Sequence, residues 1–542
     1  MSLKKVEKHE MQGRKLEEEG KFKKAIEKYQ KAIEIIDKNV ALYPEERIRK
    51  AILYARMGYC YKNLNLISNM ISAFQIAAKE AEKCAIDNPT LLERAITYHI
   101  LANSPKDTIN QLLERVLEMY RNEGNIEKMV DILLRLERIP DAVSLLIDAE
   151  KLCEESGDYK RAAKYLDMIA RCYIFMEDYV SAAEAYEKTY ELIKRAGEKN
   201  YETLERICKT ASRCYLYAGM EEKAKFILLN SVMLYKEEME DWLAKNRIVS
   251  AAKALMNVAK TYMKLNEEEK FDETWQKAIN LHIQALNEEN DLYKKAFLAF
   301  TIAKHYENRG KTDESLNYYG MGFEYYFKAI KKVKIEEIEM KELKTITEHL
   351  DKLEEKKKKK YRKKIESLLS QKWKKMQKTK IIDSKLASDI CILADCLELL
   401  GKQKDARNLY IFGARIYERL IFDYDVSHLC DDANLMAIDA LLAQHIIRAT
   451  ISYLSSKYYT GELLGKLGKL LSLSENLPLH VRDIKFLDLL RRIIVAIRLG
   501  DKEQIKNVKT FLDGPLETLL ETSKTEMSRL NVLLDFLTTT IS

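Results

Sequence analysis

Two consecutive copies of one short pattern, between residues 159 and 235, set the tightest limit on what this chain can fold into. The first reads AKYLDMIARCYIFMEDYVSAAEAYEKTYELI from Ala163 to Ile193, with Ala170, Tyr173, Ala182 and Tyr186 at fixed offsets. The second, ERICKTASRCYLYAGMEEKAKFILLNSVMLY, puts Ser212, Tyr215, Ala224 and Leu228 at the same offsets. In each copy a small residue stands three before a Tyr, and a second small residue follows that Tyr by nine. Such spacing suits two helices joined by a tight turn. Small side chains let the helices approach, and the ring fills the space beside the contact. A hairpin of this kind cannot bury its apolar face alone, so tandem copies must stack on one another.

Weaker copies extend the pattern in both directions. Gly13, Leu16, Ala25, Tyr29 and Ala32 form a first unit, and Gly58, Tyr61, Phe74 and Ala77 a second in which Met70 replaces the small residue. Residues 90–150 are looser, keeping only Tyr120, Met129 and Leu133 in register. Later units carry Ala259, Tyr262, Trp275 and Ala278, then Ala303, Tyr306, Tyr319 and Gly322, then Ala394, Leu397, Ala406, Tyr410 and Gly413. The expectation is all-α: an α-solenoid of about eight helical hairpins. Six Pro and 17 Gly in 542 residues leave long stretches free to be helical, and 47% apolar with 33% charged residues suits amphipathic helices. Tyr173, Tyr215, Tyr262 and Tyr306 are separated by 42, 47 and 44 residues. The common period of such hairpins is about 34, so either the helices or the linkers are longer here.

Residues 328–378 break the pattern. They hold 19 Lys and Arg against 9 Asp and Glu, so the rest of the chain is slightly acidic although the total is +7. The excess peaks in EEKKKKKYRKK, where Lys356, Lys357, Lys358, Lys359, Lys360, Arg362, Lys363 and Lys364 are candidate partner-binding residues. Ile346, Leu350, Leu353, Tyr361, Ile365, Leu368 and Leu369 recur at helical spacing, predicting an exposed helical hairpin or projecting arm. An acidic membrane surface or an acidic protein would meet it. Nucleic acid is disfavoured, since only Tyr361 and Trp373 interleave the cations. Residues 420–542 are helical in pattern but poor in signature and read as a capping bundle. The organisation expected is 1–140 and 141–330 as repeats, 331–380 as a basic helical arm, and 381–542 as a last repeat with a helical cap.

No phosphate-binding glycine loop, dinucleotide fingerprint, zinc-protease pair or nucleophile elbow occurs. The eight His are scattered, and the nine Cys include no C-x-x-C pair. Cys60, Cys172 and Cys214, beside or near repeat Tyr residues, read as small buried apolar groups rather than as ligands or disulfides. Asp423, Asp425, Asp431 and Asp432 around His428 lack the central Gly and terminal Glu of a calcium loop. No cofactor, metal or catalytic residue is therefore expected. The charged N-terminal residues lack the apolar core of a signal peptide, and the expected setting is cytoplasmic.

The offsets quoted above are similar to those of the tetratricopeptide repeat (TPR) superfamily, over roughly residues 8–420. The resemblance implies a scaffold or adaptor that binds peptides or helices of other proteins along its surface. The branch that grips a C-terminal carboxylate uses Lys and Asn on first helices. Here Glu10, Arg14 and Arg56 stand at those positions, which argues against it. The run PDAVSLLIDAEKLCEESGDYKRAAKYLDMIARCYIFMEDYVSAAEAYEKTYELI, Pro140 to Ile193, resembles the soluble attachment proteins of membrane fusion, the alpha-SNAP family. That resemblance implies an adaptor between a coiled-coil bundle and a hexameric AAA ATPase. The chain departs from that family in its greater length and in its basic insertion.

Overall fold

The computed structural model describes residues 2–38, 46–197, 199–379, 382–431, 435–457, 459–473, 484–513 and 524–540. Among them are twenty-five α-helices, two short 3-10 turns and no strand. Helices packed on their chain neighbours make this a TPR-like α-solenoid of hairpins. The chain divides into two units. One comprises residues 1–146, 415–451 and 460–501; the other comprises 147–414, 452–459 and 502–542.

In the first unit the Ser2–Glu18 and Phe22–Asp37 helices form the opening hairpin. The small residue allows their close approach. A Cβ placed on Gly13 would lie 2.4 Å from the Tyr29 ring, and one on Gly58 would lie 2.8 Å from the Phe74 ring. Tyr29 and Phe74 are fully buried by this contact. The helices Pro89–Leu101, Lys106–Glu123 and Ile126–Arg135 continue the hairpins where the sequence signature fades. Leu113, Val116 and Tyr120 still face inward there, so helix period survives after the small residues are lost.

The second unit contains the clearest repeats. Ala170, Ala182, Tyr186, Ser212, Tyr215 and Ala224 are all buried, as their offsets require, while Tyr173 and Leu228 are half-buried. Ser212 uses its hydroxyl to reach the Ala224 carbonyl across the hairpin at 3.0 Å. Turns are built from a left-handed residue followed by a cap. Gly157 has φ +78 and Glu177 has φ +62. The next residues, Asp158 and Asp178, accept the N–H groups of Arg161 and Ser181, each at 3.1 Å. The long period comes from the helices. First helices Tyr201–Tyr217, Ile248–Lys264 and Leu292–Asn308 have 17 residues each, whereas second helices Glu221–Ala244 and Glu268–Glu288 have 24 and 21.

The basic segment is not a free hairpin. After Ala329 the chain forms a 3-10 turn, Ile330–Lys332, the short helix Met340–Glu348, and the helix Glu355–Met376. Both helices pack on Ser384–Leu399. Tyr361, Ile365 and Leu369 are buried, with the Tyr361 ring 5.1 Å from Phe323 and 5.0 Å from Phe327. The apolar positions seen in the sequence at helical spacing thus serve as a packing face, and the arm lies down on the repeats instead of projecting.

Gly13→Val should destabilise the chain by about 1–3 kcal/mol, because the added atoms meet a buried ring with no free rotamer to yield. Chemical denaturation followed by circular dichroism measures it. An unchanged midpoint would show that the small residue is not required for the hairpin.

A groove, a basic helix face and a buried charge cluster

Three helices of the second unit, Glu221–Ala244, Ile248–Lys264 and Glu268–Glu288, enclose a groove of about 710 Å³. Leu255, Tyr262 and Thr274 are its buried lining, and Met239 and Leu281 are half-exposed. Exposed Lys236, Lys270 and Lys277 alternate with Glu240 and Glu273 around them. Lys236 donates to the Tyr262 hydroxyl at 3.2 Å, and Lys236 and Lys270 stand 5.7 and 5.8 Å from the centre of that ring. Lys277 pairs with Glu273 at 2.5 Å, which helps hold that carboxyl below its usual range. Upstream on the same helix, Phe226, Leu229 and Met233 are 64, 46 and 62% exposed. With Lys236 and Glu240 they follow 3,4,3,4 spacing, so all five share one helix face. The sequence contained this spacing, but periodicity alone does not say which apolar stripe is buried.

The structure sorts the candidate residues of the basic run. Lys358 is half-buried and pairs with Asp351 at 2.6 Å. Arg362 donates to the Leu400 carbonyl and stands 3.5 Å from Glu366, so it ties the helix to its neighbour. Lys357, Lys360 and Lys364 lie three and four residues apart on the flank facing the Thr312–Ala329 helix. Lys364 sits over Phe327 and Tyr361, 5.0 and 5.6 Å from the ring centres, and Lys360 is 5.5 Å from that of Tyr361. Lys356, Lys359 and Lys363 are exposed on the remaining faces. Burial, with Lys360 and Lys331 nearby, pushes the Lys364 ammonium below its ordinary pKa.

Sequence inspection missed a buried polar cluster around Asp395. Arg529 donates to both carboxylate oxygens, from Nε at 2.9 Å and from Nη2 at 3.0 Å, and the Tyr410 hydroxyl donates at 2.6 Å. Lys344 approaches to 3.0 Å. Burial would raise the Asp395 carboxyl, but the Arg529 and Lys344 charges and the Tyr410 bond hold it below its usual value. Tyr410 also reaches Glu398 at 3.1 Å. The same twelve-residue link recurs from Tyr29 to Glu17 and from Tyr319 to Glu307, each at 2.6 Å. In the sequence these ties leave only a twelve-residue spacing of Glu and Tyr that recurs at three hairpins, too common a pair to signal a contact.

The eight histidines, scattered in sequence, are partly reunited. His282 and His305 stack with ring centres 5.6 Å apart, and neither ring nitrogen of His282 has a protein partner. Burial pushes both down to about 4, with Lys253 adding to the effect on His282 and Lys260 and Lys304 to that on His305. No group of three or more metal-ligating side chains occurs among the described residues. None of the eight described cysteines is in a disulfide, and Cys60, Cys172 and Cys214 are buried. At the carboxylate-grip positions, Glu10 accepts from Arg14 at 2.8 Å and from Arg49 at 2.9 Å, while Arg56 pairs with Glu17 at 3.0 Å. The Asp423, Asp425, Asp431, Asp432 and His428 side chains lie outside the described residues. No described helix is long and apolar enough to cross a membrane.

No protein-family model matches the chain, and no curated protein sequence matches it. Among solved structures, the chain is similar to Naa15/Naa10 bound to HypK-THB, at 14% identity and a TM-score of 0.31 over 98% of this chain and 94% of that one. It is similar to yeast Tom70 at 11% identity and 0.27 over 99% and 96%. For the apo form of RapI the values are 13% and 0.19 over 60% and 99%. Likeness at this level carries no functional argument, and the fold rests on the hairpins themselves.

Asp395→Asn should destabilise by about 3–5 kcal/mol, since it strands a buried guanidinium. Arg529→Met in the same chain should recover part of that loss in a denaturation series, and no recovery would refute the pairing. The histidine pair gives a second expectation. A folded pKa depressed from 6.5 to about 4 contributes stability that is full above pH 6.5 and is lost as pH falls toward 4. His282→Phe should flatten the decline in melting temperature over that window by the equivalent of roughly 1–3 kcal/mol. An unaltered pH profile would exclude the pair as its source.

Proposed function

We propose that this chain is a non-catalytic scaffold that holds helical segments of partner proteins on its central repeats. One observation carries the reading: the Glu221–Ala244 helix presents Phe226, Leu229 and Met233 to solvent in one line that runs into the groove at Lys236 and Glu240. Large apolar side chains exposed in a contiguous row are costly in water and mark interaction surfaces. Their 3,4 spacing matches the knobs of a helix packed along another helix. The charged residues around Tyr262 then set register and orientation more than affinity.

The partner that suits such a stripe is an amphipathic helix or a coiled-coil bundle. The attachment-protein resemblance of residues 140–193 adds a specific version, in which the coiled coil is delivered to an AAA ATPase. Support for that version is the long second helices, which offer a deep surface to an elongated object.

Phe226→Ser, Leu229→Ser and Met233→Ser combined should leave the melting temperature nearly unchanged, because these side chains are already exposed. A photo-crosslinking residue at the exposed position 237, one turn beyond Met233, should capture a partner through a helical segment, and the triple variant should abolish that capture. Crosslinking that survives the triple change, or that maps to non-helical segments, would sink the proposal.

A further inference from the structure

The flank of the Glu355–Met376 helix that faces the Thr312–Ala329 helix goes beyond protein scaffolding. Three of its cations, Lys357, Lys360 and Lys364, occupy i, i+3 and i+7 positions on that helix. Beneath them Phe327 and Tyr361 stack at 5.0 Å with planes 16° apart, both buried. The ring faces hold Lys364 and Lys360 by cation–π attraction, which restrains long side chains that would otherwise spread apart. Lys357 stands 4.0 Å from Glu354 on its own helix, and Glu324, which also feels Lys357 and Lys360, is bonded to Lys328 at 2.6 Å.

We propose that Lys357, Lys360 and Lys364 form a binding site for a phosphate-dense anion, either free or as the headgroup of a lipid. Clustered ammoniums repel one another, and Lys364 loses basicity first to burial and then to Lys360 and Lys331. A ligand with several closely set negative charges removes that repulsion. Lysine suits it as a point charge for phosphate, without the planar geometry that arginine asks of a carboxylate. An extended acidic peptide spaces same-side carboxylates by roughly 7 Å, too widely to concentrate on one ring pair. Single-stranded nucleic acid needs exposed stacking faces, and both rings here are covered. Lys358 and Arg362, although in the same run, are used to hold the helix in place and take no part.

The test is isothermal titration of the full chain with inorganic tripolyphosphate at physiological salt, beside flotation with phosphatidylcholine vesicles with and without phosphatidylinositol bisphosphate. Lys357→Gln, Lys360→Gln and Lys364→Gln combined should weaken binding at least about tenfold, while Lys356→Gln, Lys359→Gln and Lys363→Gln, an equal charge change, should alter it less than about threefold. Tripolyphosphate binding supports a soluble ligand, and binding only to the phosphoinositide vesicles supports a headgroup. Equal weakening by both triple variants, tighter binding of polyglutamate or of an oligonucleotide, or no binding to either phosphate probe would overturn the site. Acetylation mapped by mass spectrometry tests it in the unaltered chain: tripolyphosphate should protect Lys357, Lys360 and Lys364 but not Lys356 and Lys363, and uniform labelling would count against it.

Discussion

The close approach of paired helices is the constraint on which this structure depends. Where Gly13 meets Tyr29 and Gly58 meets Phe74, no side chain of any size fits between backbone and ring. The contact recurs with the roles exchanged at Gly322, beside Phe300, and with sulfur in place of a ring at Gly413, beside Cys391. Each hairpin is thereby fixed in spacing before it packs on the next. Regular spacing then lets a succession of hairpins share a continuous core, as a solenoid requires. The Tyr–Glu ties across the turn reinforce the same geometry: the ring fills the gap, and its hydroxyl reaches back to the first helix.

Where the repeat is interrupted, a different interaction takes over. Residues 330–378 supply no small-residue contact, and the helix that follows, Ser384–Leu399, is instead pinned by charge. Asp395 on it gathers Lys344, Tyr410 and Arg529 from three other helices. A fully paired buried carboxylate adds little net stability compared with an apolar core. Its geometry, however, is far less forgiving. It sets which face of the Lys524–Thr540 helix turns inward, a choice that Leu530, Leu533, Leu534 and Leu537 alone would leave looser.

What was legible in the sequence follows from this physics. Helical hairpins with small and aromatic residues at fixed offsets were readable because sterics allow few substitutes at those positions. Residues 85–140 were less so, since Tyr120, Met129 and Leu133 keep a helical period that any amphipathic helix shows. The basic run was visible as composition, but its fate was not. Tyr361, Ile365 and Leu369 announce an apolar face without naming what covers it, and only contact with Phe323 and Phe327 turns an expected arm into a packed helix. The same limit hid the functional surfaces. Phe226, Leu229 and Met233 look like core residues in sequence, as do their buried neighbours Ile227, Val232 and Leu234.

The long second helices connect the fold to the surface it offers. At 1.5 Å per residue, a 24-residue helix runs about 36 Å and its 17-residue neighbours about 25 Å, an excess of roughly 10 Å. The shorter helices do not match the full length of the longer ones. On the Glu221–Ala244 helix the groove residues Lys236, Met239 and Glu240 fall in the later half, whereas on Glu268–Glu288 they run from Lys270 to Gln284. The length of Glu221–Ala244 beyond 17 residues thus contributes Met239 and Glu240 to the lining. The departure of the sequence from the usual repeat period is the primary trace of that surface.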